Sequence, residues 1–238
     1  MPHHQFAAEG WLVLDRLVSI EHVVQLRDLS EPLLRDTAKP KPGVRRVLHR
    51  QPAFIALLQQ TPLPALARDL CGGEGRIVRS ILFDKTPETN WLVPWHQDAT
   101  IALAQRAEVA GFGPWSLKDG EHHCTPPREL LDQIVVIRIH LDACGQANGP
   151  LRVVSRSQRE GLVDSATLNQ LVERGPIAEC CTDVGGVVIM RPHTVHSSPK
   201  ASQPSRRRVL HLEWTAARLP PGLAWGEEVR LPAVVAGP

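Results

Sequence analysis

Along residues 10–36 the apolar positions change their period. "GWLVLDRLV" (10–18) is an almost unbroken apolar run and predicts a buried strand. From Ser19 onward, "SIEHVVQLRDLSEPLLRD" spaces its apolar residues near helical intervals, with Ser19 placed to cap the first turn. Prolines and a glycine then interrupt the pattern in "AKPKPGVRR" (38–46), which predicts a loop. "FIALLQQ" (54–60) and "LPALARDLCGG" (63–73) predict two further helices, the second stopped by Gly72 and Gly73. From about Arg76 the character turns to strands: 76–85, 91–103, 133–142, 150–154, 185–192 and 206–214. Between the second and third of these lies an insertion, about 104–129, rich in Gly, Pro and His and too long for a simple hairpin.

Helices first, followed by strands with no intervening helices of crossover length, predict a mainly β chain with flanking helices, an α+β arrangement. A double-stranded β-helix, a jelly-roll or cupin-like barrel, is the closure that leaves few sheet edges exposed. A single domain over 1–238 with a core of about 6–215 accounts for the whole length. Charge alters this picture little. The 27 basic and 25 acidic residues nearly cancel, and no basic block argues for a nucleic-acid partner. No run nears the roughly 20 apolar residues that cross a bilayer, so no membrane partner is expected. The first residues lack the layout of a secretory signal, and the five cysteines are odd in number and irregularly spaced. A cytoplasmic protein with reduced thiols is the expectation.

The chemistry gathers in "VPWHQDATI" (93–101). Strand alternation would aim His96 and Asp98 at one point, where a metal could sit. Alone, such a pair occurs often by chance. Two imidazoles and a carboxylate on one face of an octahedron suit iron(II) and leave positions open for dioxygen and a co-substrate. The third ligand would come from "GGVVIMRPHTVHSS", where His193 and His196 fall on opposite faces of an extended chain, so one of the two is expected to bind. Eleven residues beyond His196 stands Arg207, whose planar fork could grip a carboxylate in two-point fashion. Its parity is awkward: Arg206 and Arg208 share a face with Leu210, Leu212 and Trp214, which reads as the core side. Both arginines therefore stay in reserve. His140 and His211 read as hydrogen-bonded strand residues, and His122, His123 and Cys124 lack the second half that a zinc site needs.

Taken together and in this order, "SILFDKTPETNWLVPWHQDATIAL", "LLDQIVVIRIHLDACGQANGPLRVV", "GGVVIMRPHTVHSS" and "RRRVLHLEW" resemble the phytanoyl-CoA dioxygenase family of iron(II)- and 2-oxoglutarate-dependent oxygenases. The resemblance implies His96, Asp98 and His196 as ligands of Fe(2+), with O2 as oxidant and 2-oxoglutarate as co-substrate. It implies Arg207 and Ser198 on the far carboxylate of 2-oxoglutarate, with Arg45 and Arg138 also near the co-substrate. Trp95, Trp115, His122 and His123 are candidates for the pocket of a small-molecule substrate. Relatives usually carry Gly-Ser-His where this chain has "SRSQREG", so Gln158 replaces a histidine that is not a ligand. Because Asp98 is present, hydroxylation or a desaturation-like outcome is expected in place of halogenation. The rival readings are a non-catalytic barrel that binds a metabolite, and a cupin-like metalloenzyme that uses no 2-oxoglutarate.

Overall fold

A computed structural model describes residues 2–35 and 43–231. In chain order its elements are α1 (Pro2–Glu9), β1 (Trp11–Leu14), α2 (Ile20–Arg35), β2 (Gly43–Arg45), α3 (Val47–Arg50), α4 (Ala53–Gln59) and α5 (Leu63–Cys71). Next come β3 (Arg76–Lys85), β4 (Val93–His96), β5 (Ile101–Leu103), β6 (Trp115–Lys118), β7 (Glu121–Cys124), α6 (Arg128–Leu131), β8 (Ile134–His140) and β9 (Leu151–Val154). The chain continues through α7 (Ser165–Arg174), β10 (Ile177–Cys180), β11 (Val187–Met190), β12 (His196–Ser198), β13 (Arg207–Thr215) and β14 (Val229–Arg230). As expected, Ser19 caps α2, its hydroxyl accepting from the His22 amide, and Gly72 ends α5 in the left-handed conformation.

Seven strands form the large antiparallel sheet, in the order β1-β11-β8-β13-β3-β14 with β2 also paired to β3. A four-stranded sheet, β10-β9-β12-β4, faces it across a cavity that residues of both sheets line. The opposite face of the large sheet carries the helices. There Val135, Ile137 and Ile139 of β8 and Leu210, Leu212 and Trp214 of β13 pack with Leu26 of α2, Phe54 and Leu58 of α4 and Leu63 of α5. Each such side chain removed from water contributes about 1.5–3 kcal/mol. A smaller cluster, Val136, Leu151, Val153, Cys180, Val188 and Met190, joins the two sheets beside the cavity.

The mainly β arrangement with flanking helices, two sheets facing each other as in a double-stranded β-helix, is as expected, and three details differ. The sheets do not close into a barrel. The ladder stops at β4 because the chain leaves it after His96, the Asp98 amide bonding the Pro192 carbonyl at 2.9 Å. The segment 104–129 is not structureless either. β6 and β7 form a hairpin within it, and β7 pairs with β5 to complete a third sheet. Its turn is Asp119-Gly120, both with positive φ (50° and 80°), as a two-residue primed turn requires. In "AKPKPGVRR", residues 43–45 are β2, and 38–42 lie outside the described residues.

Candidate active site

Antiparallel pairing of β12 with β4 sets His196 directly opposite His96, and their rings lie 4.2 Å apart between centroids. Asp98 sits just beyond the end of β4, not on it as the alternation argument assumed. Gln97, between them, points away and fastens the segment. Its amide donates to the carbonyls of Gly161 and His193, and its oxygen accepts from the Val163 amide. Asp98 is thereby turned back to the histidines. His96 Nε2 lies 3.8 Å and His196 Nε2 3.7 Å from the Asp98 carboxylate, and one ligand atom from each residue falls within 4.8 Å of the others. Among the described residues this is the one group of three such side chains with that spacing. His193 is elsewhere, buried with Nε2 3.0 Å from Asp132.

The protonation pattern suits a cation. Nδ1 of His96 lies 2.8 Å from the Pro94 carbonyl, and Nδ1 of His196 lies 2.8 Å from that of Thr194. A carbonyl only accepts, so Nδ1 carries the proton and Nε2 keeps its lone pair facing Asp98. Burial pushes the His196 imidazole down to about 4, with the Asp98 carboxylate opposing, so it stays neutral near pH 7. Burial also acts to raise the Asp98 carboxyl. His196, His211, His96 and Arg79 outweigh it and hold the group well below the usual carboxylate range. Two imidazoles and one carboxylate whose donor atoms gather on a common point are the donor set that iron(II) takes in a facial triad. The site residues fit the metal.

Arg207 stands at one end of the same cavity, buried at 6% exposure. It donates to Ser198 Oγ (3.1 Å) and Cys144 Sγ (3.5 Å), and its Nε has no partner. Ser198 in turn donates to the Gly149 carbonyl. A buried guanidinium without a carboxylate is costly unless an anion completes it. Lys85, paired in register with Arg207, adds a second cation; burial and then Arg207 lower it to about 8. This end of the cavity can take a carboxylate or another anion.

Arg138 also lines the cavity, its Nη1 3.0 Å from His211 Nδ1 and its Nε unpartnered. Burial, then Arg207, lowers it to about 10. Arg45 lines the cavity too, but β2 pairs it with Ile81, about 13 Å along β3 from Lys85 at the usual strand rise. The four pocket candidates do not reach the cavity lining. Trp95 lies under Arg152, 5.1 Å from its guanidinium carbon, because alternation along β4 turns it away from His96. Trp115 packs on the cluster of Ile101, Leu103 and Trp225, and His123 is buried beneath the hairpin, 3.9 Å from Glu121. His122 alternates with it on β7 and is half-buried.

Gln158, where relatives carry a histidine, donates to the Ala8 carbonyl and is not among the three clustered side chains. His211 is hydrogen-bonded as expected and lines the cavity as well. His140, by contrast, has no partner for either ring nitrogen, and burial pushes it down to about 3. Sequence reasoning missed Arg79 and Lys118 on the cavity wall. Arg79 shares its parity on β3 with Ile81, Phe83 and Lys85, a signal that the strand reading already held.

Similarity to known proteins agrees with the site. The family description "Phytanoyl-CoA dioxygenase (PhyH)" matches residues 6–209. L-proline trans-4-hydroxylase of Streptomyces griseoviridis is 25% identical over 241 residues, covering 87% of this chain and 82% of that protein. The crystal structure of AviO1 from Streptomyces viridochromogenes Tue57 superposes with a TM-score of 0.68 at 22% identity, covering 92% of this chain and 96% of that one. EctD from S. alaskensis with bound Fe gives 0.71 at 20% identity, covering 90% and 75%. The chain belongs to the phytanoyl-CoA dioxygenase family.

Proposed function

We propose that the protein is an iron(II)- and 2-oxoglutarate-dependent dioxygenase that hydroxylates a small organic molecule and works in the cytoplasm. The observation that carries this reading is the convergence of His96, Asp98 and His196, with both Nε2 atoms freed for a metal, in one cavity with the uncompensated Arg207. His96, Asp98 and His196 would hold the iron; Arg207 and Ser198 would hold 2-oxoglutarate. When bound, iron, 2-oxoglutarate and dioxygen together supply the oxidant, with release of succinate and carbon dioxide. The chain's own part is orientation and exclusion of water. The Nδ1 bonds to Pro94 and Thr194 fix both rings, Gln97 fixes the backbone between the ligands, and the wall of Ile81, Phe83 and Val209 keeps the cavity apolar beside the metal.

The cavity of about 270 Å³ supports a metabolite-sized substrate, as do a relative named for hydroxylating proline and five free cysteines in keeping with a reducing compartment. Among the described residues no helix is long and apolar enough to cross a membrane. The test is incubation with iron(II), ascorbate and 2-oxoglutarate in air. Slow succinate formation is expected from the wild type and none from His196→Ala. Equal succinate from both would contradict the assignment.

A further inference from the structure

Resting on the oxygenase reading, we infer that the molecule to be hydroxylated carries a carboxylate or comparable oxyanion, held by Arg45, Lys118 and Arg79 at the end of the cavity away from Arg207. The cavity has a direction. Four residues of β3, Arg79, Ile81, Phe83 and Lys85, line it in succession, and register pairs Lys85 with Arg207, Ile81 with His211 and Arg79 with Glu213. At the usual rise, Arg79 and Lys85 stand about 20 Å apart along the strand. The metal ligands are displaced from the Arg207 end: Ser198, which Arg207 bonds, stands opposite Val93 on β4, whereas the ligand His196 stands opposite His96, three residues further along β4. A co-substrate anchored at Arg207 therefore takes the Lys85 side of the metal. The opposite side is left for the other reactant.

That side is cationic. Lys118 reaches the cavity from the tip of the β6–β7 hairpin and lies close enough to Arg79 and Arg45 to feel both. No side-chain hydrogen bond or ion pair holds Lys118 among the described residues. Among the described residues, Arg45 Nη1 and Arg79 Nε are buried without partners. Counter-charges do exist: Glu213 on Arg79 at 2.9 Å, the solvent-exposed Asp119 on Arg45 at 3.1 Å, and Glu121 near Arg46 and His123. None of these acids lines the cavity. Asp98, the metal ligand, is its one lining carboxylate against six lining Lys and Arg residues. A neutral or cationic substrate would leave Lys118 unpaired and the forks of Arg45 and Arg79 only partly filled, while an oxyanion completes them.

The test uses full-length protein loaded with zinc(II), which cannot turn over, and saturating 2-oxoglutarate. Isothermal titration calorimetry compares hexanoate, benzoate and inorganic sulfate with hexanamide and benzamide. An acid is expected to bind at least about tenfold more tightly than its amide, with sulfate competing. Arg45→Gln on β2 and Lys118→Ala on the hairpin, both outside the main core, are each expected to weaken the acid about three- to tenfold while 2-oxoglutarate binds as before. Arg79→Gln is avoided because it strands the buried Glu213. Amides binding as tightly as acids, binding of none of the acids, or variants that weaken 2-oxoglutarate instead would overturn the inference. Failure of wild-type protein to bind zinc or 2-oxoglutarate would overturn the oxygenase reading with it.

Discussion

The two faces of β13 hold arginines that are neighbours in the chain and opposites in chemistry. On the helix side, Arg208 makes a two-point contact with Asp142 (2.9 and 2.8 Å) and a third bond to Glu31, and Arg206 does the same with Asp84 and Glu31. On the cavity side, Arg207 meets only a hydroxyl and a thiol. Saturated arginines tie α2 to the sheet; an unsaturated one waits for a ligand. The same strand thus separates a structural face from a functional one, and the distinguishing mark is whether a carboxylate already occupies the fork.

That contrast can be broken experimentally. Arg208→Ala should have the largest effect on stability. It removes the two-point partner of the half-buried Asp142, which then keeps only Arg27, while Glu31 keeps Arg206; the cost is about 3 kcal/mol and a fall in Tm of roughly 6–12 °C, with 2-oxoglutarate affinity of the folded protein unchanged. Arg207→Met should do the reverse. Affinity for 2-oxoglutarate, read by calorimetry, should drop by about a hundredfold, while Tm stays level or rises because a buried uncompensated charge is gone. Arg206→Ala should cost only about 1 kcal/mol in a denaturant titration, since its side chain is more than a third exposed.

A pH titration sharpens the comparison further. On the cavity face His196 and His140 are held down to about 4 and about 3 from an ordinary 6.5. Between pH 6.5 and 4 the unfolded chain takes up protons that the native one refuses, so stability falls as pH falls through that window. On the helix face the Asp142 carboxyl, buried yet held low by Arg208, contributes stability that is lost only below its ordinary 3.8. Metal-free protein should therefore lose stability first from the cavity face. His140→Leu, which removes a partnerless buried imidazole, should flatten the slope between pH 6.5 and 4.

How much of this was legible in the sequence follows the same division. The cluster of His96, Asp98 and His196 could be anticipated because its residue types are chemically rare together; parity said only that one of His193 and His196 belongs to it, and the family resemblance pointed to His196. Arg207 could be chosen by its spacing and family resemblance. Parity argued against it because Leu210, Leu212 and Trp214 do face a core. A central strand buried on both sides has two such faces, and sequence alone does not say which holds the cavity. The hairpin at 115–124 was missed although Asp119-Gly120 is a turn signal, since its strands are four residues each and one is mostly exposed. Trp95 illustrates the remaining gap: adjacency to a ligand in sequence puts a strand residue on the wrong side.

The most direct measurement is a crystal structure grown without oxygen in the presence of iron(II) and 2-oxoglutarate. The expected result is one metal bonded by His96 Nε2, the Asp98 carboxylate and His196 Nε2, with the far carboxylate of 2-oxoglutarate on Arg207 and Ser198. A metal bound by other residues, or an Arg207 with no carboxylate against it, would contradict the account.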